Sequence, residues 1–385
     1  MSILSNVRRE RNAEFGGFGG CLREDCMKRI HNFNAGPAAL PLEVIEQAQA
    51  ELPSLGGIGM SVMELSHRSK EFQAIVDSAA AGLQRLMKIP ENYDILFLQG
   101  GASHQFAMIP MNLRRPGKSA DYVDTGSWSN KALKEAKLTG AANVAWSGKA
   151  DNYTRMPKQE ELKLLPDAEY VHICSNETIG GIRWKKFPKV ETPLFVDMSS
   201  DILSREVDIS QFDMVYAGAQ KNLGPSGLAV VILKKGLADR EPENTPIFFR
   251  YSTHIKDGSL YNTPNTWAIY LLDLICKWLE ARGGAAAMEK INEKKAAALY
   301  DVIDSSDFWR SPVEIESRSI MNVVWRLGSE ELEAKFISEA TKAGMVGLKG
   351  HRSVGGVRAS IYNAVTLESV QALADFMKEF EKKNG

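Results

Sequence analysis

Cysteine is scarce in this chain: 385 residues hold four, Cys21, Cys26, Cys174 and Cys276. So few, so scattered, exclude a disulfide framework and a zinc site of the CxxC type; no metal is expected, and a reducing cytoplasm is the expected compartment. Charge of one sign is also missing. Lys and Arg total 47 against 48 for Asp and Glu, so the footprint of a nucleic-acid or anionic-membrane binder is absent and any anion site must be built locally. Long apolar runs are lacking too. The most apolar segment, WAIYLLDLICKWLEA from Trp267, carries Asp273 and Lys277 and falls short of the roughly 20 residues a spanning helix needs. No membrane anchor is expected. Residues 1–30 have no apolar stretch of the signal-peptide kind, and their acidic residues argue against organelle targeting. With glycine pairs, mixed charges and no periodicity they read as a flexible N-terminal extension, or as residues ahead of a start at Met27.

What is present is alternation. The stretches LEVIEQAQAEL and KEFQAIVDSAAAGLQRLMKI repeat apolar residues at three and four and predict amphipathic helices. Short apolar runs bounded by Gly or Asp follow: DILFLQGG, AEYVHICSNE, PLFVDMSS, DMVYAGA and GLAVVILKK. These predict strands buried on both faces, and strands spaced by helices predict an α/β fold with a mainly parallel sheet. Ligands of such sheets sit beyond the carboxyl ends of the strands, which draws attention to Gly100–Ser103, Ser175–Thr178, Asp197 and Lys221. After Pro264, NTWAIYLLDLICKWLEARGG predicts one long helix capped by Asn265 or Thr266 and stopped by Gly283 and Gly284. The pattern then becomes strand, helix, two short strands and a helix. We expect a large domain over 41–284 and a smaller α+β domain over 285–385, with residues 31–40 associated with the smaller one.

Several residues could carry chemistry, and each has a plainer reading. Lys221 follows an apolar run and precedes NLGPSG; a loop lysine is usually solvated, but one desolvated at a strand end can form an imine with an aldehyde. Asp197 ends a strand, where an Asp often caps the next turn but could also pair with the ring nitrogen of pyridoxal phosphate. QGGASHQF offers backbone N–H groups and the Ser103 hydroxyl to a phosphate, although Gly-Gly between a strand and a helix is commonly just a turn. Trp128 is read in a polar loop, available to stack on a flat ring or to pack in the core. Basic residues gather in SHRSKEF (His67, Arg68) and KGHRSVGGVRASIYNA (His351, Arg352, Arg358), suited to anions or to surface ion pairs.

Taken together, eight motifs in order, NFNAGPAALP, SHRSKEF, FLQGGASHQF, SNETIGGI, VDMSSDILSREVDI, YAGAQKNLGPSG, YNTPNTWAIY and GHRSVGGVRASIYNA, resemble the phosphoserine aminotransferase family. These are pyridoxal-phosphate enzymes of fold type I, class V, and the likeness runs from about Asn32 to the C-terminus. It implies that Lys221 bonds the cofactor aldehyde and that Asp197 pairs with its ring nitrogen. It gives the cofactor phosphate to Ala102, Ser103 and Gln220, the ring face to Trp128 and the phenolic oxygen to Thr178. Asn262 and Thr263 would reach the phosphate bound in the neighbouring subunit of a homodimer.

For substrates, the resemblance gives the α-carboxylate to Arg358. His67, Arg68, His351 and Arg352 would take the phosphate, or the side-chain carboxylate of glutamate. The implied reaction moves an amino group between glutamate and 3-phosphohydroxypyruvate, giving O-phosphoserine for serine biosynthesis; 4-phosphohydroxy-L-threonine, of pyridoxine biosynthesis, suits the same pocket. The phosphate turn follows the family's Ala-Ser version rather than the arginine version. Another class-V enzyme, a serine– or alanine–glyoxylate aminotransferase, is the alternative, but it would have little use for the His-Arg pair of GHRSVGGVR. A cysteine desulfurase would need a mobile cysteine, whereas Cys174 lies in a buried-strand pattern and Cys276 in a helix. A non-catalytic binding protein of the same fold would show no visible absorbance from a bound cofactor.

Overall fold

The apolar runs assemble into one seven-stranded sheet. In the computed structural model, which describes residues 29–385, the strands are β1 (Tyr93–Gln99), β2 (Ala120–Asp124), β3 (Ala142–Ser147), β4 (Val171–Cys174), β5 (Leu194–Asp197), β6 (Met214–Gly218) and β7 (Leu228–Lys234). Their order across the sheet is β1-β7-β6-β5-β4-β2-β3. Only β7 runs antiparallel to its neighbours; the other pairings are parallel. The expected α/β fold with a mainly parallel sheet is what the chain adopts. Apart from Arg29 and Ile30, the expected extension, with Met27, lies outside the described residues.

Strand side chains alternate between faces, and here both faces are apolar. Val215 and Ala217 of β6 and Val230 and Ile232 of β7 join one cluster, with α1 (Leu42–Glu51), α2 (Lys70–Met87) and a later helix, Thr266–Ala281. Their neighbours Met214, Tyr216, Val231 and Leu233 join another, under α3 (Gly101–Leu113) and α4 (Ser127–Thr139). Helices therefore cover the sheet on both sides. In α2 the buried residues Phe72, Ile75, Val76, Ala79 and Leu83 follow the helical repeat, and Ser69 Oγ caps the helix by accepting from Phe72 N at 3.2 Å.

Against α2 lies α5, the helix Thr266–Ala281, capped by Asn265, whose Oδ1 accepts from Ala268 N at 3.0 Å. The two approach closely because Gly82 has no β-carbon; one would sit 2.8 Å from Cys276 Cβ. Asp273, in the apolar stretch of α5, accepts from Ser78 Oγ at 2.6 Å and Lys277 Nζ at 2.7 Å. No described helix is long and apolar enough to cross a membrane.

The rest of the chain forms α6 (Gly284–Ile303), β8 (Asn322–Trp325), α7 (Glu330–Lys342), β9 (Met345–Val346), β10 (Val357–Ser360) and α8 (Leu367–Asn384). Their apolar faces build a third cluster, which also takes in Phe33. Phe33 N donates to Val346 O at 2.9 Å, and its carbonyl accepts from Ser360 N at 3.2 Å. Inside this cluster Lys295 of α6 is buried and donates to the carbonyls of Ile361, Tyr362 and Val365 at 2.8–3.0 Å.

Candidate active site

A cavity of about 270 Å³ opens beyond the carboxyl ends of β1, β4, β5 and β6, and Ala102, Ser103, Trp128, Asp197, Gln220 and Lys221 all line it. Asp197, the last residue of β5, is 4% exposed. Burial pushes its carboxyl above the ordinary range, opposed by hydrogen bonds from Ser199 and then by the Lys221 charge. Ser199 N and Oγ donate to Asp197 Oδ1 at 2.8 and 2.6 Å. The other oxygen, Oδ2, has no hydrogen-bond partner among the described residues.

Lys221 follows β6 and is 6% exposed. Its Nζ donates to Thr178 Oγ1 at 2.6 Å and lies 5.3 Å from the Trp128 ring centroid. The glycine turn is sterically required: Gly100 and Gly101 have φ of +88° and +66°, and a β-carbon on Gly100 would fall onto the His104 ring. At the start of α3, the N–H groups of Ala102 and Ser103 have no intrahelical acceptor. Gln220 converges on the same place, since a β-carbon on Gly218 would sit 2.7 Å from Gln220 Oε1 and 3.3 Å from Ala102 N.

Trp128 stands in the first turn of α4 rather than in a loop. The sequence hides this because the helix has no capping side chain of its own at Gly126 and borrows one from far away. Glu177, fully buried, accepts from Trp128 N at 3.0 Å, Ser129 N at 2.9 Å and Ser129 Oγ at 2.8 Å. Burial raises the Glu177 carboxyl, and the Ser129 and Trp128 amides oppose that rise. The neighbouring Thr178 faces Lys221, so SNET fixes the indole and the lysine together.

Arg358, on β10, reaches the site through Thr178, whose carbonyl accepts from Arg358 Nη1 at 3.3 Å. Its guanidinium is mostly buried, its Nε is buried with no partner, and burial draws its pKa down. No carboxylate pairs with it among the described residues. A buried, unpaired cation is costly and points to an anionic ligand. A second cavity of about 660 Å³ shares Gly36 and Pro37 with the first and reaches Arg358 and Lys349. Half-buried His351 holds Ser353 Oγ at 2.7 Å from Nδ1. Burial, then the positive charges of Arg358, Arg352 and Lys131, hold its pKa below the usual value. Arg352 is exposed beside it.

Eight expected residues do not line the first cavity: Thr178, His351, Arg352 and Arg358, described above, and His67, Arg68, Asn262 and Thr263. His67 is half-buried with Nε2 unpartnered, and Arg68 is exposed. Asn262 lines a separate cavity beside Gln99 and His104, and the carbonyl of exposed Thr263 accepts from Gln99 Nε2 at 2.8 Å. Sequence reasoning also left roles unassigned. The segment at Gly36 crosses the lysine loop, with Ala38 N donating to Gln220 O at 2.9 Å; a β-carbon on Gly36 would touch Gln220 and Lys221 at 3.5 Å. The NFNAGP motif carried the signal. Ser199 and Glu177 lay inside the motifs VDMSSDILSREVDI and SNETIGGI without a role of their own, and Lys131 was marked only by following Trp128. Lys131 Nζ sits 4.2 Å from the Trp128 ring centroid.

The description of class-V aminotransferases matches residues 30–373. The phosphoserine aminotransferase of Geobacillus kaustophilus is 56% identical over 358 residues, covering 93% of this chain and 99% of the relative. The chain belongs to the phosphoserine aminotransferase family. Among solved structures of the family, the enzyme from Bacillus circulans subsp. alkalophilus superposes with a TM-score of 0.91 at 53% identity, covering 93% of this chain and 99% of that one. The PLP-bound family member from Trichomonas vaginalis gives 0.87 at 41% identity, over 91% of this chain and all of that one. These relatives support the phosphoserine branch rather than the glyoxylate alternative.

The residues present fit the group that the Trichomonas protein holds. One wall of the cavity offers a carboxylate oxygen without a partner, another a buried amine, and the third a glycine turn opening a helix. An aromatic plane stands beside the amine. Each answers one part of pyridoxal phosphate: ring nitrogen, aldehyde, phosphate and ring face.

Proposed function

We propose that this protein is a pyridoxal-phosphate-dependent transaminase that moves an amino group between L-glutamate and 3-phosphohydroxypyruvate, yielding O-phospho-L-serine and 2-oxoglutarate for serine biosynthesis. The observation that carries the reading is one cavity lined by buried Lys221 and by Asp197 with a free oxygen, with the unpaired Arg358 joined to it through Thr178.

When bound, pyridoxal phosphate supplies an aldehyde that takes up amino groups and a ring that draws electrons from the substrate's Cα. Asp197 Oδ2 would hold the ring nitrogen in its protonated form. Ala102, Ser103 and Gln220 would receive the phosphate and Thr178 the phenolic oxygen, and Trp128 would cover the ring. Lys221 would hold the aldehyde, and its free amine would serve as general base and then general acid toward the proton on the substrate's Cα. Its hydrogen bond to Thr178 keeps the amine at the cavity wall between those roles.

Arg358 fixes the α-carboxylate by paired hydrogen bonds, which orients Cα–H toward Lys221. His351 and Arg352 take the distal anion, whether phosphate or the glutamate side chain; His67 and Arg68, given the same anion by the family resemblance, lie away from this chain's cavity. One basic pocket then serves both half-reactions, and 4-phosphohydroxy-L-threonine is a further substrate. Asn262 and Thr263 lie outside this chain's cavity, in keeping with a homodimer in which they reach the partner's cofactor phosphate. The separate cluster around Phe33, α6, α7 and α8 supports a small domain of 285–385 with 31–40, set against a cofactor-binding domain of 41–284. Unpaired Cys174 and Cys276 suit a reducing cytoplasm.

The test is an assay of O-phosphoserine with 2-oxoglutarate beside serine or alanine with glyoxylate. Glutamate formation from O-phosphoserine alone is expected. A preference for serine or alanine with glyoxylate would overturn the reading.

A further inference from the structure

Asp197 is held asymmetrically. Both hydrogen bonds to its carboxylate come from one residue, Ser199, and both fall on Oδ1, at 2.8 Å from N and 2.6 Å from Oγ. The same hydroxyl accepts from Gly218 N at 2.9 Å. Gly218 ends β6, three residues before Lys221, and a β-carbon added there would meet Gln220 Oε1 and Ala102 N. Ser199 Oγ therefore ties the carboxylate to the strand end that carries the lysine loop. A hydroxyl has one proton to give, and Ser199 can give it only to Asp197, because the Gly218 contact uses a lone pair.

We propose that Ser199 is a positioning residue: its hydroxyl locks Asp197 Oδ1 and so reserves Oδ2, at a fixed angle, for the ring nitrogen of the cofactor. The inference rests on the assignment of Asp197 to that nitrogen. A carboxylate free to turn would share both oxygens with the cavity and lose part of a charge-assisted hydrogen bond whose strength depends on its geometry.

The test compares binding of pyridoxal phosphate with binding of its 1-deaza analogue, which carries CH in place of the ring nitrogen, by titrating the cofactor-free full-length protein. The wild type is expected to prefer pyridoxal phosphate. Should it bind both equally, Asp197 does not act on the nitrogen, and the assignment beneath this inference fails. Given that preference, Ser199→Ala is expected to lose about tenfold in affinity for pyridoxal phosphate and less than about twofold for the analogue. Ser199→Thr is expected to restore the wild-type ratio. Ser199→Gly keeps the N–H donor, removes the hydroxyl and is expected to follow Ser199→Ala. Equal losses for both ligands, no loss at all, or failure of Ser199→Thr to restore the ratio would each overturn the role of Ser199 while leaving that of Asp197 intact.

Discussion

The floor and the mouth of the active-site cleft are built differently. On the floor every reacting or covering group is held by a partner distant in sequence or by its own turn: Lys221 by Thr178, Asp197 by Ser199, and the helix start at Trp128 by Glu177. At the mouth, toward the second cavity, the arginines have no carboxylate partner among the described residues. Arg358 has an unpartnered Nε, and Arg352 stands exposed on a glycine-flanked loop. The difference separates two tasks. Chemistry common to every amino donor needs preorganised groups, whereas recognition of two different distal anions needs charges that can settle around either.

That contrast can be broken from the floor first. Lys221→Ala is expected to lower turnover about a thousandfold or more, with thermal melting close to wild type and cofactor still retained noncovalently; near-normal steady-state activity would remove the lysine from its role. At the mouth, Arg352→Ala is expected to cut kcat/KM for O-phosphoserine about 10- to 100-fold and to leave melting unchanged, because none of the described residues depends on it for an ion pair. A variant with full activity toward O-phosphoserine would take Arg352 out of the pocket. Glu177→Ala strips three donors of their acceptor and should cost about 1–3 kcal/mol of unfolding free energy, read from denaturant titration, with a change in Trp128 fluorescence. Equal stability would mean that water replaces the carboxylate.

The last effect concerns a buried cation away from the cleft. Burial pulls the Lys295 ammonium down to about 7 from 10.5, against the three carbonyls that accept its protons. The unfolded chain holds that proton to higher pH, so this group's contribution to stability rises as pH climbs from about 7 toward 10. The stability of the wild type relative to Lys295→Met should rise over that window. A difference independent of pH would show that the carbonyls outweigh burial.

Much of the fold was legible because the sheet is buried on both faces, which leaves five strands as uninterrupted apolar runs. Two strands were missed. ADYVD of β2 carries buried carboxylates that find partners only in three dimensions: Asp121 accepts from Asn143 Nδ2 and Leu165 N, and Asp124 from Ser147 Oγ. ANVAWS of β3 lies at the sheet edge, with Val144 exposed, so it lacks an apolar signature. The long helix α6 also went unread, since its alanine and lysine pattern bears a buried polar face with Asn292 and Lys295.

Lys221 and Asp197 could be found because each lies at or just beyond the end of a strand on the same edge of a parallel sheet. The helix beneath Trp128 could not, because the carboxylate that caps it is 49 residues away in the chain. Ser199 was invisible for a related reason, as a serine after an aspartate reads as an ordinary turn until its hydroxyl is seen to bridge two strands. The positions of His67, Arg68, Asn262 and Thr263 away from the cavity could not be read from motif order, which carries no information about which cavity a loop reaches.

The central claim is that the cofactor aldehyde is bonded by Lys221 and no other lysine. Reducing the cofactor-loaded protein with borohydride and mapping its peptides by mass spectrometry tests this directly. The account predicts a single phosphopyridoxyl adduct, on Lys221 within YAGAQKNLGPSG. An adduct on a different lysine, or none, would contradict it.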